Sequence, residues 1–216
     1  PKDTTARRGF ETLGRDFGPG SVAPINVVIS RNSGTVFESD FLGDLAAFSS
    51  RVSEDGEVSA VESIVNVRPD LALEDYVAMY DGAASLSDPQ AKAMVDGLVN
   101  TGNGNDVTLV RVYPNHSAET DEAKGLVKRI RGDFSRDLDN PSFARLLVGG
   151  VPAENEDMTG ALVGRVPLAI LGVLVITYIF LVLVLRSLLL PVQAIILNLL
   201  SVFANYGILV VILQYG

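Results

Sequence analysis

The polar side chains that could do chemistry inside an otherwise apolar segment lie near the C-terminus. Asn198, Ser201 and Asn205 are three and four residues apart, so in a helix they share one face, with Tyr206 beside them. Amides and hydroxyls that faced lipid would lack hydrogen-bond partners, so this face should meet other helices. It either lines the path of a substrate or ion, or joins helices by hydrogen bonds. The second interpretation is favoured, because the two apolar segments carry no charged residue for a proton relay.

Other candidate catalytic and metal-binding groups are few. The sequence has no cysteine and one histidine, which excludes disulfides, thiol catalysis and an ordinary zinc site within these residues. His116 follows Pro114 and Asn115, and we expect it to be an exposed loop residue rather than a pH switch. We therefore expect neither a catalytic residue, a cofactor nor a metal site, and predict that the protein is not an enzyme.

Two further motifs resemble ligand sites only in part. Asp137, Asp139 and Asn140 have the spacing that begins a calcium loop, but the later glycine and glutamate ligands are missing, so a turn is predicted. Gly102-Asn103-Gly104 has no Lys-Ser/Thr after it and precedes a strand, so it is not a phosphate loop.

Two long uncharged runs indicate a membrane hairpin. Val166 to Leu185 and Pro191 to Leu213 contain no charged residue, and the first would be about 30 Å long as a helix, the thickness of a bilayer core. The short connection contains Arg186, which favours a cytoplasmic loop. We therefore predict a multi-pass protein of the cell (plasma) membrane, with residues 1–157 extracytoplasmic and residues 158–216 forming the hairpin.

The charges are confined to the part that precedes the hairpin. All 26 acidic residues and all but one of the 17 basic residues lie before Val166. This predicts an acidic soluble domain. Because an acidic surface repels phosphate backbones and no basic stripe is present, nucleic acid is not an expected partner.

The soluble part alternates strand and helix patterns. The short β-branched runs predict strands and the apolar residues at helical spacing predict helices. Without its helical insertion the order is β-α-β-β-α-β, which folds most easily as an antiparallel sheet with two helices on one face. We predict an α+β, ferredoxin-like domain. The predicted strands are 24–30, a stretch within 58–67, 107–113 and 144–148; the helices are 35–52 and 117–134; the insertion is about 71–100.

Capping boxes set the expected starts of two helices. Thr35 with Glu38 should begin the first helix, which carries Phe37 and Phe41 on its apolar face. Ser87 with Gln90 should begin a second one inside the insertion.

The connection between the domain and the hairpin is rich in glycine and acidic residues. Gly149, Gly150 and Pro152 belong to this linker, and the three acidic residues that follow, Glu154, Glu156 and Asp157, are expected to be solvated. The first membrane helix is predicted to begin near Met158.

The two apolar segments and their connection carry one extended motif. It consists of Leu185-Arg186-Ser187, Pro191, Asn198 to Val202 and Tyr215-Gly216. This motif resembles the signature (F)RS…P…NLLSV…YG of the MMPL branch of the resistance-nodulation-division (RND) transporters, with Leu185 in place of the phenylalanine. That family carries the signature on the two helices after its second porter domain. The ends of the soluble part are similar to the family's entry into and exit from the porter domain: Pro1-Lys2-Asp3, Phe17-Gly18-Pro19-Gly20, Pro24, Val148 to Ala153 and Asp157.

The resemblance implies a fragment of a larger transporter. A family member has two halves, each with one helix, a porter domain and five further helices, and this chain would hold the second porter domain and its next two helices. The family's proton relay would lie beyond Gly216. The resemblance implies as partners the remaining transmembrane helices, the first porter domain, and membrane lipids or a hydrophobic substrate. It leaves the oligomeric state open.

Two functions follow as alternatives. The resemblance implies export of lipids or other hydrophobic molecules, driven by the proton-motive force. It also implies that the flexible 149–157 link, with Gly149, Gly150 and Pro152 as a hinge, transmits helix movement to the porter domain. The alternative is a membrane-tethered extracytoplasmic binding or scaffold module, which the hairpin only anchors. A chain that ends in Gln214-Tyr215-Gly216 without a polar tail favours the fragment.

Overall fold

The computed structural model divides the chain into two compact units, Pro1–Met158 and Thr159–Gly216. The residues that the structure describes are 5–68, 70–81, 89–134 and 142–215. Ser87, Asp137, Asp139 and Asn140, with the motifs predicted there, lie outside them.

A four-stranded antiparallel sheet forms the centre of the first unit. Its order is β2-β3-β1-β4, so β3 separates the two strands of the first β-α-β crossover. This is the strand order of a ferredoxin-like domain, and the predicted α+β fold is confirmed. The strands are β1 Ile25–Arg31, β2 Val58–Glu62, β3 Val107–Pro114 and β4 Phe143–Gly149.

Seven α-helices are present in the described residues. Two short turns accompany them: a 3-10 turn at Pro19–Val22, and a wider π-type turn at Ile130–Phe134 that follows α5. The helices are α1 Thr5–Phe17, α2 Ser39–Ser53, α3 Leu73–Asp81, α4 Pro89–Leu98, α5 Asp121–Arg129, α6 Val151–Leu185 and α7 Leu189–Tyr215.

The core lies between one face of the sheet and the two helices of the ferredoxin-like plan. Strand β1 buries every second residue, Ile25, Val27 and Ile29, as the two-residue period of a strand requires. These residues belong to one apolar cluster with side chains of α2 and α5. A fully buried side chain of this size contributes about 1.5–3 kcal/mol. The buried helix residues are Phe41, Leu42, Leu45, Phe48 and Val52 from α2, and Ala123, Leu126 and Val127 from α5.

Helices α2 and α5 both begin four residues later than predicted from the sequence. Helix α2 begins at Ser39, because the Arg31 guanidinium donates to the Thr35 carbonyl oxygen at 3.2 Å and keeps this segment in a loop. The expected contact of Glu38 is nevertheless present, since its Oε1 accepts from the Thr35 N–H at 2.9 Å. Helix α5 begins at Asp121, with Thr120 as its cap.

The insertion forms the two helices α3 and α4, which pack on the same core. Tyr76 and Tyr80 of α3 donate their hydroxyls to the carbonyl oxygens of Arg68 and Ile64, each at 2.7 Å. Val95 is buried in α4, whereas Met94 beside it is 38% exposed. Burial raises the pKa of the Tyr80 hydroxyl well above its usual value, so it stays a neutral donor.

An ion pair ties the α2–β2 turn to the end of α5. The Arg129 guanidinium donates to both Asp55 carboxylate oxygens, at 2.7 and 2.9 Å, and the Asp55 side chain is only 8% exposed. We expect Arg129→Ala to lower the free energy of unfolding by about 2 kcal/mol, because it leaves a largely buried carboxylate without its counter-charge and with only the Glu57 N–H as donor. Urea unfolding of the detergent-solubilised chain measures this. Arg15→Ala, which removes the exposed pair with Asp16, should change it by about 0.5 kcal/mol or less.

The same pair predicts how stability depends on pH. Arg129 holds the pKa of Asp55 below its usual value in the folded state. The stabilisation that the ion pair contributes to the folded state is therefore complete above the pKa of an unfolded aspartate. It is lost as the pH falls through the lower pKa of Asp55 in the folded protein. As the pH is lowered, the free energy of unfolding should fall less for Arg129→Ala than for the wild type. If the two free energies fell in parallel, this assignment would be wrong.

Candidate functional site

The junction between β4 and α6 is where the soluble domain continues into the first long apolar helix. Strand β4 ends at Gly149 and α6 begins at Val151, so only Gly150 lies between them. Gly150 has a φ of +95°. A Cβ atom at this position would lie 2.5 Å from the Pro24 carbonyl oxygen and 3.3 Å from the Asn26 nitrogen. Glycine is therefore required here, both for the backbone conformation and for the close approach of the segment that enters β1.

The first two turns of α6 are held on the domain rather than solvated. Pro152 and Ala153 are buried. The Asn155 side-chain amide donates to the Ala118 carbonyl oxygen at 3.1 Å. Lys128 Nζ of α5 lies 3.0 Å from Glu156 Oε1, and the Glu156 side chain is only 15% exposed. These contacts order the helix from Val151, seven residues before the predicted start near Met158.

Arg131 completes this attachment from the π-type turn. Its Nη2 donates to the Val148 carbonyl oxygen at 2.9 Å and to Asp157 Oδ2 at 3.0 Å, and its Nη1 donates to Asp157 Oδ1. The hydrogen bonds raise the pKa of Arg131 and lower the pKa of Asp157. One guanidinium thus joins the end of β4 to the second turn of α6. The sequence interpretation of a solvated linker is wrong for Glu156, which is mostly buried. Asp157 is paired but exposed, and Glu154 is exposed as well.

The predicted hinge residues take distinct positions at this junction. Gly149 is the last residue of β4, Gly150 is the single connecting residue, and Pro152 occupies the first turn of α6. Proline fits this position because the first helical N–H groups have no intrahelical acceptor.

Removing the Arg131 side chain should loosen the first turns of α6. We expect Arg131→Ala to speed amide hydrogen exchange in residues 151–158 at least about fivefold, because the charge-assisted hydrogen bonds to Asp157 and Val148 are lost. Hydrogen exchange with mass spectrometry on the full chain measures this. Arg145→Ala, an exposed site on β4, is the matched control and should leave these amides unchanged. If both variants exchanged like the wild type, Arg131 would have no role in holding the helix.

Helices α6 and α7 are long and apolar enough to cross a membrane, over Val151–Leu185 and Leu189–Ile212. Asn198, Ser201, Asn205 and Tyr206 all lie within the continuous helix α7 and are exposed. Asn198 and Asn205 are two turns apart on almost the same line along the helix, with Ser201 between them. The structure therefore places these three predicted residues on one face of α7.

Sequence reasoning missed the groups that hold the junction. Lys128 and Arg131 are three residues apart at the end of one predicted helix, and Glu156 and Asp157 are adjacent at the expected start of another. The matching positions of these two basic and two acidic residues were the signal from which the attachment of the helix to the domain could have been predicted. In the described residues no cluster of three or more histidine, cysteine, aspartate or glutamate side chains could hold a metal ion. The single histidine, His116, lies at the surface with its Nε2 2.8 Å from Glu57 Oε2.

Comparison with known proteins gives consistent matches. The sequence profile of the MMPL family matches residues 1–216. The chain is 23% identical over 210 residues to "Probable transport protein MmpL11" of Mycobacterium bovis and, to the same extent, to "Heme uptake protein MmpL11" of Mycobacterium tuberculosis. Each alignment covers 97% of this chain and 18% of the relative, so the chain spans less than one fifth of these proteins.

Proposed function

The chain belongs to the MMPL family, and on that basis we propose that it is part of a membrane transporter that exports lipids or other hydrophobic molecules. The observation that carries this proposal is the extent of the match, which includes the soluble domain and both apolar helices. The names of the relatives, one called a transport protein and one a haem uptake protein, support transport rather than catalysis.

We propose that two parts of the chain have different roles in the transporter. Residues 1–157 form an extracytoplasmic porter domain, and residues 158–216 form a transmembrane hairpin in the cell membrane. Proton flow through helices elsewhere in the transporter drives transport. The polar face of α7, with Asn198 and Asn205, packs against those helices. In this scheme Gly149, Gly150 and Pro152 pass helix movement to the domain.

The attachment of α6 supports a stiff connection more than a flexible one. Ala153 is buried, and Glu156 and Asp157 pair with Lys128 and Arg131, so the domain end of the helix has little freedom to bend. A rotation of α6 would then move the domain directly, because Gly150 is the single residue that connects β4 to α6.

The first test is the intact mass of the polypeptide made by its native gene in membranes. We expect a product several times larger than the 23.0 kDa of this chain. The purified protein should then move a lipid across a proteoliposome membrane when a proton gradient is imposed, and collapsing the gradient should stop it. Haem belongs in the same assay as a second substrate. A stable product near 23.0 kDa would instead support a tethered binding module.

The side of the membrane on which the domain lies can be tested separately by labelling introduced cysteines, because the sequence contains no cysteine of its own. Ser59 is exposed on β2, and Ser187 lies between α6 and α7. In intact cells a membrane-impermeant thiol reagent should label Ser59→Cys, and it should label Ser187→Cys only after the membrane is opened. The reverse pattern would place the domain in the cytoplasm.

A further inference from the structure

Helix α1 has a narrow apolar face that remains exposed in the first unit. At about 100° per residue, Phe10, Leu13 and Phe17 fall within an arc of about 60° around the helix axis. The three residues are 44%, 47% and 73% exposed. Within the described residues the main contact of α1 is with the 3-10 turn that follows it. The apolar face is therefore separate from the core of the domain.

The opposite face of α1 is charged. Arg8, Glu11 and Arg15 fall within a second arc of about 60°, and all three are exposed. The sequence of α1 contains three arginines, one glutamate and one aspartate, although the domain as a whole is acidic. A helix with an aromatic and aliphatic face, a charged opposite face and a slight excess of basic residues is typical of one that lies along a membrane surface.

Helix α1 is joined to one particular end of the sheet. Asn26 of β1 pairs with Arg111 of β3 and with Gly149 of β4, so the start of β1 and the ends of β3 and β4 meet there. The 3-10 turn after α1 packs closely against this end, since a Cβ on Gly20 would lie 2.0 Å from the Pro114 carbonyl oxygen. The turn therefore fixes the end of α1 at this place in the domain.

The long apolar helix α6 leaves the domain at the same end of the sheet. Gly150 lies against the Pro24 carbonyl oxygen, and α6 begins at the next residue, Val151. Met158, about 10 Å further along α6, is an exposed apolar residue, and the uncharged run begins at Val166. If α6 enters a membrane, as proposed above, this end of the sheet is the one that the chain holds nearest to the bilayer.

An open apolar groove extends the exposed face of α1 onto the 3-10 turn. It has a volume of about 230 Å³ and is lined by Leu13, Phe17, Ser21 and Val22. The Ser21 hydroxyl donates to the Gly18 carbonyl oxygen at 2.7 Å, so its hydrogen bond is already made within the turn. The groove therefore offers mainly hydrocarbon surface, which suits an acyl chain better than a polar ligand.

We propose that α1 lies along the surface of the membrane that α6 enters. Phe10, Leu13 and Phe17 insert among the acyl chains of the nearer leaflet, and Arg8 and Arg15 face the headgroups and water. The bilayer covers the apolar face and leaves the charged face hydrated, and the helix is attached at the end of the sheet from which α6 leaves. The inference rests on the proposed insertion of the hairpin in a membrane and goes beyond the proposed transport.

Tryptophan fluorescence tests the proposal, because the sequence contains no tryptophan of its own. Phe17→Trp places a reporter on the apolar face, and Thr12→Trp places one about 140° away on the same helix. The full chain is studied in phosphatidylcholine nanodiscs, with and without bromine atoms near the top of the acyl chains as quenchers. Phe17→Trp should lose at least about half of its emission in the brominated lipid, and Thr12→Trp about one tenth or less, because only the apolar face reaches the acyl chains.

A third reporter separates this inference from the membrane insertion on which it rests. Phe203 is exposed on α7, and Phe203→Trp should be quenched by lipid brominated deep in the acyl chains. If Phe203→Trp is not quenched, the hairpin does not insert and the proposed function fails together with this inference. If Phe203→Trp is quenched and Phe17→Trp is not, only the inference about α1 is wrong. Blue-shifted emission from Phe17→Trp would then show that protein covers the face, and unshifted emission that water does.

A polar substitution on the apolar face provides a second test. In the Phe17→Trp background, Leu13→Gln should reduce the quenching at least about twofold, because it removes hydrocarbon from the inserted face. Thr12→Gln changes the neighbouring exposed residue outside that face and should leave the quenching unchanged. Leu13 lies outside the buried core, so both variants should keep the far-UV circular dichroism of the parent. Equal quenching in the two variants would overturn the proposal.

Discussion

Replacing Gly150 by alanine should destabilise the first compact unit of the chain by about 3 kcal/mol or more. Gly150 has a φ of +95°, and an alanine Cβ would lie 2.5 Å from the Pro24 carbonyl oxygen. An unfavourable backbone conformation costs about 1–3 kcal/mol. The steric conflict adds to this cost, because the neighbouring atom is backbone and cannot rotate away. Urea unfolding of the full chain, followed by far-UV circular dichroism, measures the loss.

Gly43→Ala is the matched control. Gly43 lies inside α2, and a Cβ there would have no other atom within 4 Å. The same substitution should stabilise the protein by about 0.5–1 kcal/mol, since alanine favours a helix more than glycine does. Two Gly→Ala changes with opposite signs would show that the local backbone decides the effect. A Gly150→Ala variant as stable as the wild type would mean that the connection relaxes without cost.

The consequence for α6 follows from the position of Gly150. Because Gly150 alone separates β4 from the helix, any relaxation of its backbone must move the start of α6. Amide exchange in residues 151–158 should therefore rise in Gly150→Ala even under conditions in which the sheet stays folded.

The sheet and its two main helices could be predicted from sequence because their patterns are periodic. The β-branched run at 24–30 predicted the strand in which Ile25, Val27 and Ile29 are buried, and helical spacing at 117–134 predicted the helix in which Leu126 and Val127 are buried. The short connections and right-handed crossovers then left one favourable strand order. A buried face that repeats along an element is recorded locally in the sequence, so this part of the fold needed no tertiary information.

The helix starts and the junction could not be predicted in the same way. Thr35 has the sequence of a helix cap, yet Arg31 binds its carbonyl oxygen and delays α2 to Ser39. Glu156 and Asp157 are typical of a solvated linker, yet they pair with Lys128 and Arg131, 28 and 26 positions earlier. Contacts between distant charged side chains set these boundaries, and local patterns do not record such contacts.

Replacing Asn198 and Asn205 together by leucine should lower accumulation or transport of the intact transporter at least about tenfold. Both side chains lie on one face of α7 and are exposed in this chain. An unpaired amide in a bilayer is unfavourable, so the proposed transporter must supply partners from other helices. Such contacts contribute about 0.6–2 kcal/mol each, and two of them amount to roughly a tenfold change or more in a packing equilibrium.

The design of this experiment separates packing from a general effect of hydrophobicity. Gln193→Leu removes an amide from the same helix, but about 120° away from the line of Asn198 and Asn205, and should leave accumulation and transport unchanged. If the double variant reaches normal levels in membranes but no longer transports, the face lines the substrate or ion path. If it fails to accumulate, the face joins helices by hydrogen bonds. Normal accumulation with normal transport would show that this face contacts only lipid, and the proposed packing would then be wrong.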